Sequence, residues 1–427
     1  MKHAPHMRGI VAAVIGNALE WYDFVVFSYM TVVLADLFFP TGHSYTSILL
    51  TTGTFGVAFL MRPIGGLVLG SYADRFGRKR ALSLVIALMT LGLLIISLAP
   101  THASIGVAAP VLIVIARLIQ GFSAGGEFGT ATALLIESAP PGRSGFFGSF
   151  QMASQAAALL LGAIVGALVT KGLSHDELMA WGWRIPFVIG LVIGPVGFYI
   201  RRNLVEPESA PAADERPTQV LQSVVRDHIG GVLSSLAAVV ALTSSVYVLV
   251  SYLPTYAVKQ LKLPIEASFY ALVAGNTLLV LLCPVAGRIS DSIGRKSLSL
   301  VSLVVTLALL YPLFAWLNAS PSVAKILLVQ CLLSVSLAGF YGPFGALVSE
   351  QFPAEVRSTG LSLAYNLAVM LFGGFSQMIV TWLIDATGSA LAPTFYAMFC
   401  VGMAVVGVAT MAAGRVSLTV GAPGALR

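Results

Sequence analysis

The chain has 427 residues, 57% of them hydrophobic and only 10% charged, with a formal net charge of +6. A soluble protein would carry about 25% charged residues, so an ordinary water-facing enzyme or binding module is excluded. Apolar runs of spanning length fall at 9–35, 47–72, 80–99, 108–136, 146–170, 185–201, 229–257, 268–287, 297–317, 323–349, 358–384 and 391–413. Each suits a hydrocarbon core of ~30 Å. They predict an all-α polytopic membrane protein with twelve transmembrane helices. The first run continues to full spanning length without a small-residue cleavage site, so it is expected to be a span and not a cleavable leader.

That first run contains "GNALEWYDFVVF", which places Glu20 and Asp23 three residues apart in a segment otherwise made for lipid. Arg62 falls in the second run, and Arg117 and Glu127 in the fourth. A charge at the bilayer centre costs at least ~2.5–3.5 kcal/mol, so these five are expected to face a cavity and pair with one another. Glu20 and Asp23 share a helix face. Two carboxylates that close do not both ionise cheaply, which makes the pair a proton site, with Asp23 favoured as the coupling acid. Arginine stays charged and offers a planar fork to a carboxylate. Arg117 can therefore pair with Asp23 or with an acidic substrate, and Arg62, followed by Pro63, is a second candidate. Glu127 lies ten residues after Arg117, ~15 Å along a continuous helix, and serves as a further proton site or inner-gate partner. Gly121, Gly125 and Gly129 recur every four residues, the spacing of close helix packing.

Of the 24 Lys and Arg, 17 fall in loops and ends on one side, taken as cytoplasmic, five on the other and two within spans. This positive-inside bias sets both termini in the cytoplasm and explains the basic charge without nucleic acid. Residues 201–227, "RRNLVEPESAPAADERPTQVLQSVVRD", form the longest polar segment. They divide the chain into an N-terminal six-helix bundle (1–200), a cytoplasmic linker (201–227) and a C-terminal six-helix bundle (228–427). The halves repeat: "GSYADRFGRKR" places Gly70, Asp74, Arg75, Gly77 and Arg78 where "GRISDSIGRKS" places Gly287, Asp291, Ser292, Gly294 and Arg295. A parallel six-plus-six repeat is what rocking transporters show. Charge pairs at these loops would hold the cytoplasmic ends together while the carrier is open outward, with Ser292 weakening the second copy.

The Gly-x-x-x-Asp-Arg-x-Gly-Arg-Lys loop resembles the signature of the major facilitator superfamily. "GNALEWYDF", "FLMRPIGG", "RLIQGFSAGGEFG" and "WGWRIPF" resemble its metabolite:proton symporters, and "GFFGSFQMASQ" with "SHDELMAWGWRIPF" is most similar to citrate and tricarballylate carriers. The likeness runs from about Gly16 to Trp382. It implies a proton-coupled symporter of a small di- or tricarboxylate, working by alternating access as a monomer in a bacterial inner membrane. Its expected partners are the organic anion, protons and lipid. Symport of shikimate, 2-oxoglutarate or a zwitterionic osmolyte is the alternative within transport, although osmolyte carriers of the family often have a long charged C-terminal coiled coil and this chain ends "GRVSLTVGAPGALR". A membrane sensor of the same fold is the alternative outside it. Gln155, Tyr252 and Asn366 are the candidate neutral substrate contacts. No nucleophile–base pair stands out, no histidine lies deep in a span, and Cys283, Cys331 and Cys400 lack metal-ligand spacing. Neither catalysis, a metal nor a cofactor is expected.

Overall fold

A computed structural model describes residues 4–76, 78–125, 127–191, 217–353 and 356–412, and these form helices with no strand among them. Helices α1 (Ala4–Tyr29) and α2 (Thr31–Phe38) belong to one apolar run, bent by 66° where they meet. They are followed by α3 (Ser44–Phe76), α4 (Arg78–Leu98), α5 (His102–Ile105), α6 (Ala108–Ser123), α7 (Glu127–Glu137), α8 (Ser144–Gly172), α9 (His175–Ala180) and α10 (Gly182–Leu191). Of the expected linker, 201–216 lies outside the described residues, and the rest is the helix α11 (Pro217–Asp227). Next, α12 (Ile229–Ser244) runs through a wide π-type turn, Ser245–Ser251, into α13 (Leu253–Lys259). The helices α14 (Ile265–Ile293), α15 (Arg295–Ala319) and α16 (Val323–Ser349) are unbroken. A second π-type turn, Val369–Gly373, joins α17 (Arg357–Ala368) towards α18 (Ser376–Thr387), and α19 (Ala392–Thr410) closes the described chain.

Among the described residues eight helices are long and apolar enough to cross a membrane, or nine with the bent pair taken as one. Shorter apolar helices occupy Ser83–Leu98, Ala108–Ser123 and Gly182–Leu191. Large apolar side chains such as Leu98, Val107, Leu168 and Val406 stand exposed, as lipid-facing positions require. The run 108–136, expected as one helix, is two. The break follows a stretch of backbone contact: a Cβ on Gly121 would strike the Ala58 carbonyl, and one on Gly125, at the break itself, would strike the Arg62 carbonyl and the Gly66 nitrogen. The glycines let α3 and α6 touch main chain to main chain, as their spacing indicated.

The loop between α8 and α10 is a clamp. Ser174 and Glu177 form a capping box, and the Ser174 backbone N–H holds the Glu177 carboxyl below its usual range. Arg184 lies over Trp183 at 4.2 Å and donates to the carbonyls of Ser97 (3.1 Å) and Ala99 (3.0 Å), fixing the end of α4. This gives "WGWRIPF" a structural task.

Across the two halves, α8 lies along α14: a Cβ on Gly145 would meet Ser290 and Gly287, and one on Gly166 would meet Phe269. On α19, the carbonyls of Ala409 and Met411 accept from Lys296 Nζ at 2.8 and 2.7 Å. A cation at a helix C-terminus also complements the dipole.

Candidate substrate and proton site

Three helices each present one face. On α1, Glu20, Asp23, Phe24 and Phe27 follow helical spacing, as do Phe55, Phe59 and Arg62 on α3 and Arg117 with Gln120 on α6. All nine side chains are buried, and Arg117 has no exposure at all.

Arg62 Nη2 is 3.8 Å from Glu20 Oε1, and its guanidinium carbon lies 4.7 Å from the ring centres of both Phe24 and Phe59. The Arg117 guanidinium lies 4.8, 4.7 and 5.1 Å from Phe24, Phe27 and Phe55, and donates to Gln120 Oε1 at 3.0 Å. Phe24 is thus shared by two cations. Ring faces stabilise a desolvated guanidinium by ~2 kcal/mol or more, which offsets part of its burial. The rings leave donors free: Arg117 Nε and Nη2 and Arg62 Nε have no hydrogen-bond partner among the described residues.

The two acids take different neighbours. Glu20 pairs with Arg62, whereas Asp23 interacts electrostatically with Arg117 without a direct ion pair among the described residues. Gly190 of α10 makes room for Asp23, since a Cβ there would come within 3.0 Å of Asp23 Oδ1.

The C-terminal half closes the site with aromatics. From the first π-type turn, the Tyr247 ring meets Phe59 (5.4 Å) and Phe55 (5.6 Å) edge-on and stacks with Trp21 (6.0 Å). Its buried hydroxyl has no hydrogen-bond partner among the described residues and lies within electrostatic reach of Arg62, Glu20 and Arg117. Tyr365 is also near Arg62 and Glu20 and stacks on Phe128 at 3.7 Å. In this conformation these side chains pack together beside the two arginines.

The neutral candidates are dispersed. Gln155 is buried, its Nε2 without a hydrogen-bond partner among the described residues, while its neighbour Gln151 is held by Asn17. Asn366 donates to the Gly125 carbonyl at 3.1 Å and so ties α17 to the α6–α7 break. Tyr252 bonds Thr381 at 2.9 Å, in the wall of a separate cavity. Glu127 opens α7, but its side chain lies outside the described residues. Gly77 lies outside the described residues, and of Gly70, Asp74, Arg75 and Arg78 only the helical backbone is described. The second loop is described. Asp291 accepts the backbone N–H groups of Gly145 (2.7 Å) and Phe146 (3.0 Å) at the start of α8, and Arg295 pairs with Asp291 (3.2 Å), Glu350 and Ser144 (2.7 Å). Ser292 bonds its own helix, at the Ile289 carbonyl. Even without a second arginine, this copy joins the halves.

The sequence offered Tyr247 only together with Tyr252 and Tyr256 as hydroxyl donors, and did not single out Tyr365 or the four phenylalanines. The available signal was spacing: Phe24 and Phe27 lie four and seven residues after Glu20, on the face of the acids.

The sequence profile of the Major Facilitator Superfamily matches residues 15–376. The chain belongs to that superfamily. Its relatives include a citrate-proton symporter of Salmonella typhi, 37% identical over 90% of this chain and 88% of the relative. The alpha-ketoglutarate permease of Escherichia coli is 34% identical over 87% and 85%. A proline/betaine transporter of Salmonella typhimurium is 30% identical over 94% and 82%. Among solved superfamily structures, a D-xylose-proton symporter superposes with a TM-score of 0.78 over 97% of this chain and 100% of its own, at 19% identity, a likeness of fold.

Proposed function

We propose that the protein is a proton-coupled symporter of a small di- or tricarboxylate, with Asp23 as the proton carrier and Arg117 and Arg62 as the carboxylate ligands. The observation that carries this reading is the pair of buried guanidiniums sharing Phe24, with donors left over for a ligand and two acids beside them as counter-charges. With Asp23 ionised, Arg117 is balanced from within. Protonation of Asp23 releases Arg117 for a substrate carboxylate, so proton and anion load together. Arg62, already engaged by Glu20, takes a second carboxylate by exchange. Citrate, alpha-ketoglutarate and proline/betaine carriers among the relatives make the anion the first choice and the zwitterion the second.

Two six-helix bundles of a twelve-span chain, joined by 201–227, rock about this site in a bacterial inner membrane with both termini cytoplasmic. Asp74, Arg75 and Arg78, set by Gly70 and Gly77, and Asp291 with Arg295 form the cytoplasmic latches. Glu127, Gln155 and Asn366 adjoin the path as a further proton site and neutral contacts.

Uptake into proteoliposomes under an imposed pH gradient, screened over citrate, tricarballylate, 2-oxoglutarate, shikimate and betaine, tests the reading. Citrate or tricarballylate should accumulate and be lost with a protonophore. Accumulation of betaine with no acid transported would replace the anion by a zwitterion, and the absence of counterflow for every compound would point to a sensor.

A further inference from the structure

Tyr247 and Ser251 in the π-type turn and Thr255 and Lys259 in α13 recur every four residues. The first three are buried, each only 1% exposed, and none of their hydroxyls has a hydrogen-bond partner among the described residues. Buried hydroxyls are ordinarily bonded, so three unbonded ones in a line require a reason beyond packing. The line starts at Tyr247, beside Arg62 and Arg117, and ends at a cavity of about 210 Å³ whose wall includes Ser44, Tyr45, Thr255, Lys259, Thr381 and Asp385. Lys259 Nζ donates to Ser44 Oγ at 2.7 Å and has no carboxylate partner among the described residues. Both charges meet solvent, Asp385 exposed at the rim and Lys259 half-buried with an exposed ammonium, so water screens their mutual attraction. The bonds of Ser28 to the Ser251 carbonyl (3.0 Å) and to Gln377 (2.7 Å) lie between the halves along the same route, and the Tyr252–Thr381 bond lies beside it within the C-terminal half.

We propose that this cavity is an anion-capture site, in which Lys259 holds one carboxylate of a small organic acid, with Thr255 as a hydroxyl donor. From there the acid passes Ser251 and Tyr247 to Arg117 and Arg62. Twelve residues separate Tyr247 from Lys259, at most about 18 Å of helix rise, so a citrate-sized anion occupies one site or the other. The proposal rests on the symporter reading and on the outward placement of the Lys259 loop. Positive-inside bias depletes that face of cations, and Lys259 is one of few available there to collect an anion.

The test reconstitutes the full chain and measures uptake of external citrate at low ionic strength. Lys259→Gln should raise KM about three- to ten-fold with kcat unchanged, and the difference should vanish at high salt, as for a lost steering charge. Lys259→Arg should behave as the parent, and Asp385→Asn should lower KM. Ser44→Ala removes the same hydrogen bond but keeps the charge, so it should not raise KM. An unaltered KM in Lys259→Gln overturns the proposal, as does the same rise in Ser44→Ala, which would make Lys259 a latch. A second readout needs no transported substrate. Ser44→Cys, labelled from outside and compared with the parent chain, should react several-fold faster with an anionic than with a cationic methanethiosulfonate, and Lys259→Gln should abolish the preference. If no acid is transported but this preference is present, the capture site stands and the symporter reading fails. If the preference is absent, the capture site fails whatever is transported.

Discussion

Three phenyl rings and Gln120 hold the Arg117 guanidinium, and two of its nitrogens remain for a ligand. Arg117→Lys keeps a charge but loses the planar fork and the stacking. It should reduce both gradient-driven uptake and exchange of labelled for unlabelled substrate by at least about ten-fold, the equivalent of ~1.4 kcal/mol. Asp23→Asn should give a different signature: uptake driven by a pH gradient collapses, while exchange survives, because exchange needs only the loaded carrier to reorient. If Asp23→Asn still concentrates substrate on a pH difference alone, the proton is carried elsewhere, with Glu127 and then Glu20 the next to replace. At this scale the acids and arginines were legible, because a charge in an apolar run is too costly to keep without a cavity or a partner to receive it. Their closest companions were not. Tyr247, Tyr252 and Tyr256 are equivalent by composition, and the π-type turn at 245–251 alters the register between them, so that Tyr247 joins the arginines and Tyr252 joins Thr381. The phenylalanines carried only the mark of helical spacing from Glu20 and Arg62.

Elements here are set by where backbones touch. Hydropathy marked the apolar runs but missed the division of 108–136 into α6 and α7, because both pieces are equally apolar and the break contains no proline. The break falls at Gly125, where a Cβ would meet the α3 backbone. A methyl group at Gly125 would overlap the Arg62 carbonyl and force α3 from α6, displacing the two helices that carry the arginines. Gly125→Ala should therefore destabilise by ~1–3 kcal/mol, the usual range for overpacking, with a lower unfolding temperature in detergent and impaired substrate binding. Gly402→Ala in α19 is the control, since nothing lies within 4 Å of a Cβ there. It should be neutral or slightly stabilising, because alanine is the better helix former. Equal unfolding temperatures for the two variants would remove the glycine contact as the determinant of the site.

At the scale of the whole molecule, the halves are bonded on both sides of the arginine site. One set comprises Ser28–Ser251 and Gln377–Ser28. The other comprises Asn366–Gly125, Arg357–Glu137 and the Asp291 bonds to Gly145 and Phe146. A carrier must open one set at a time, so each bond acts on the balance of conformations more than on the affinity of the site. The repeated loop motif placed Asp291 and Arg295 together in sequence, but not the groups that Asp291 bonds. Spacing showed Asp291 beside Arg295, and only the packing of α8 on α14 brings the two N–H groups to its carboxylate. Hydrogen bonds to a charged group contribute about 1.5–3 kcal/mol each. Asp291→Asn keeps the size and some bonding but removes the charge, so a net loss of ~1.4 kcal/mol, a ten-fold shift in the closed-to-open ratio, is the expected scale. Ser362, which packs against Gly129 on this side, reports the opening. Labelling of Ser362→Cys by a permeant maleimide should accelerate about ten-fold when Asp291→Asn is added, and turnover should change more than substrate affinity. Unchanged labelling with weakened binding would make Asp291 part of the substrate path and not a latch.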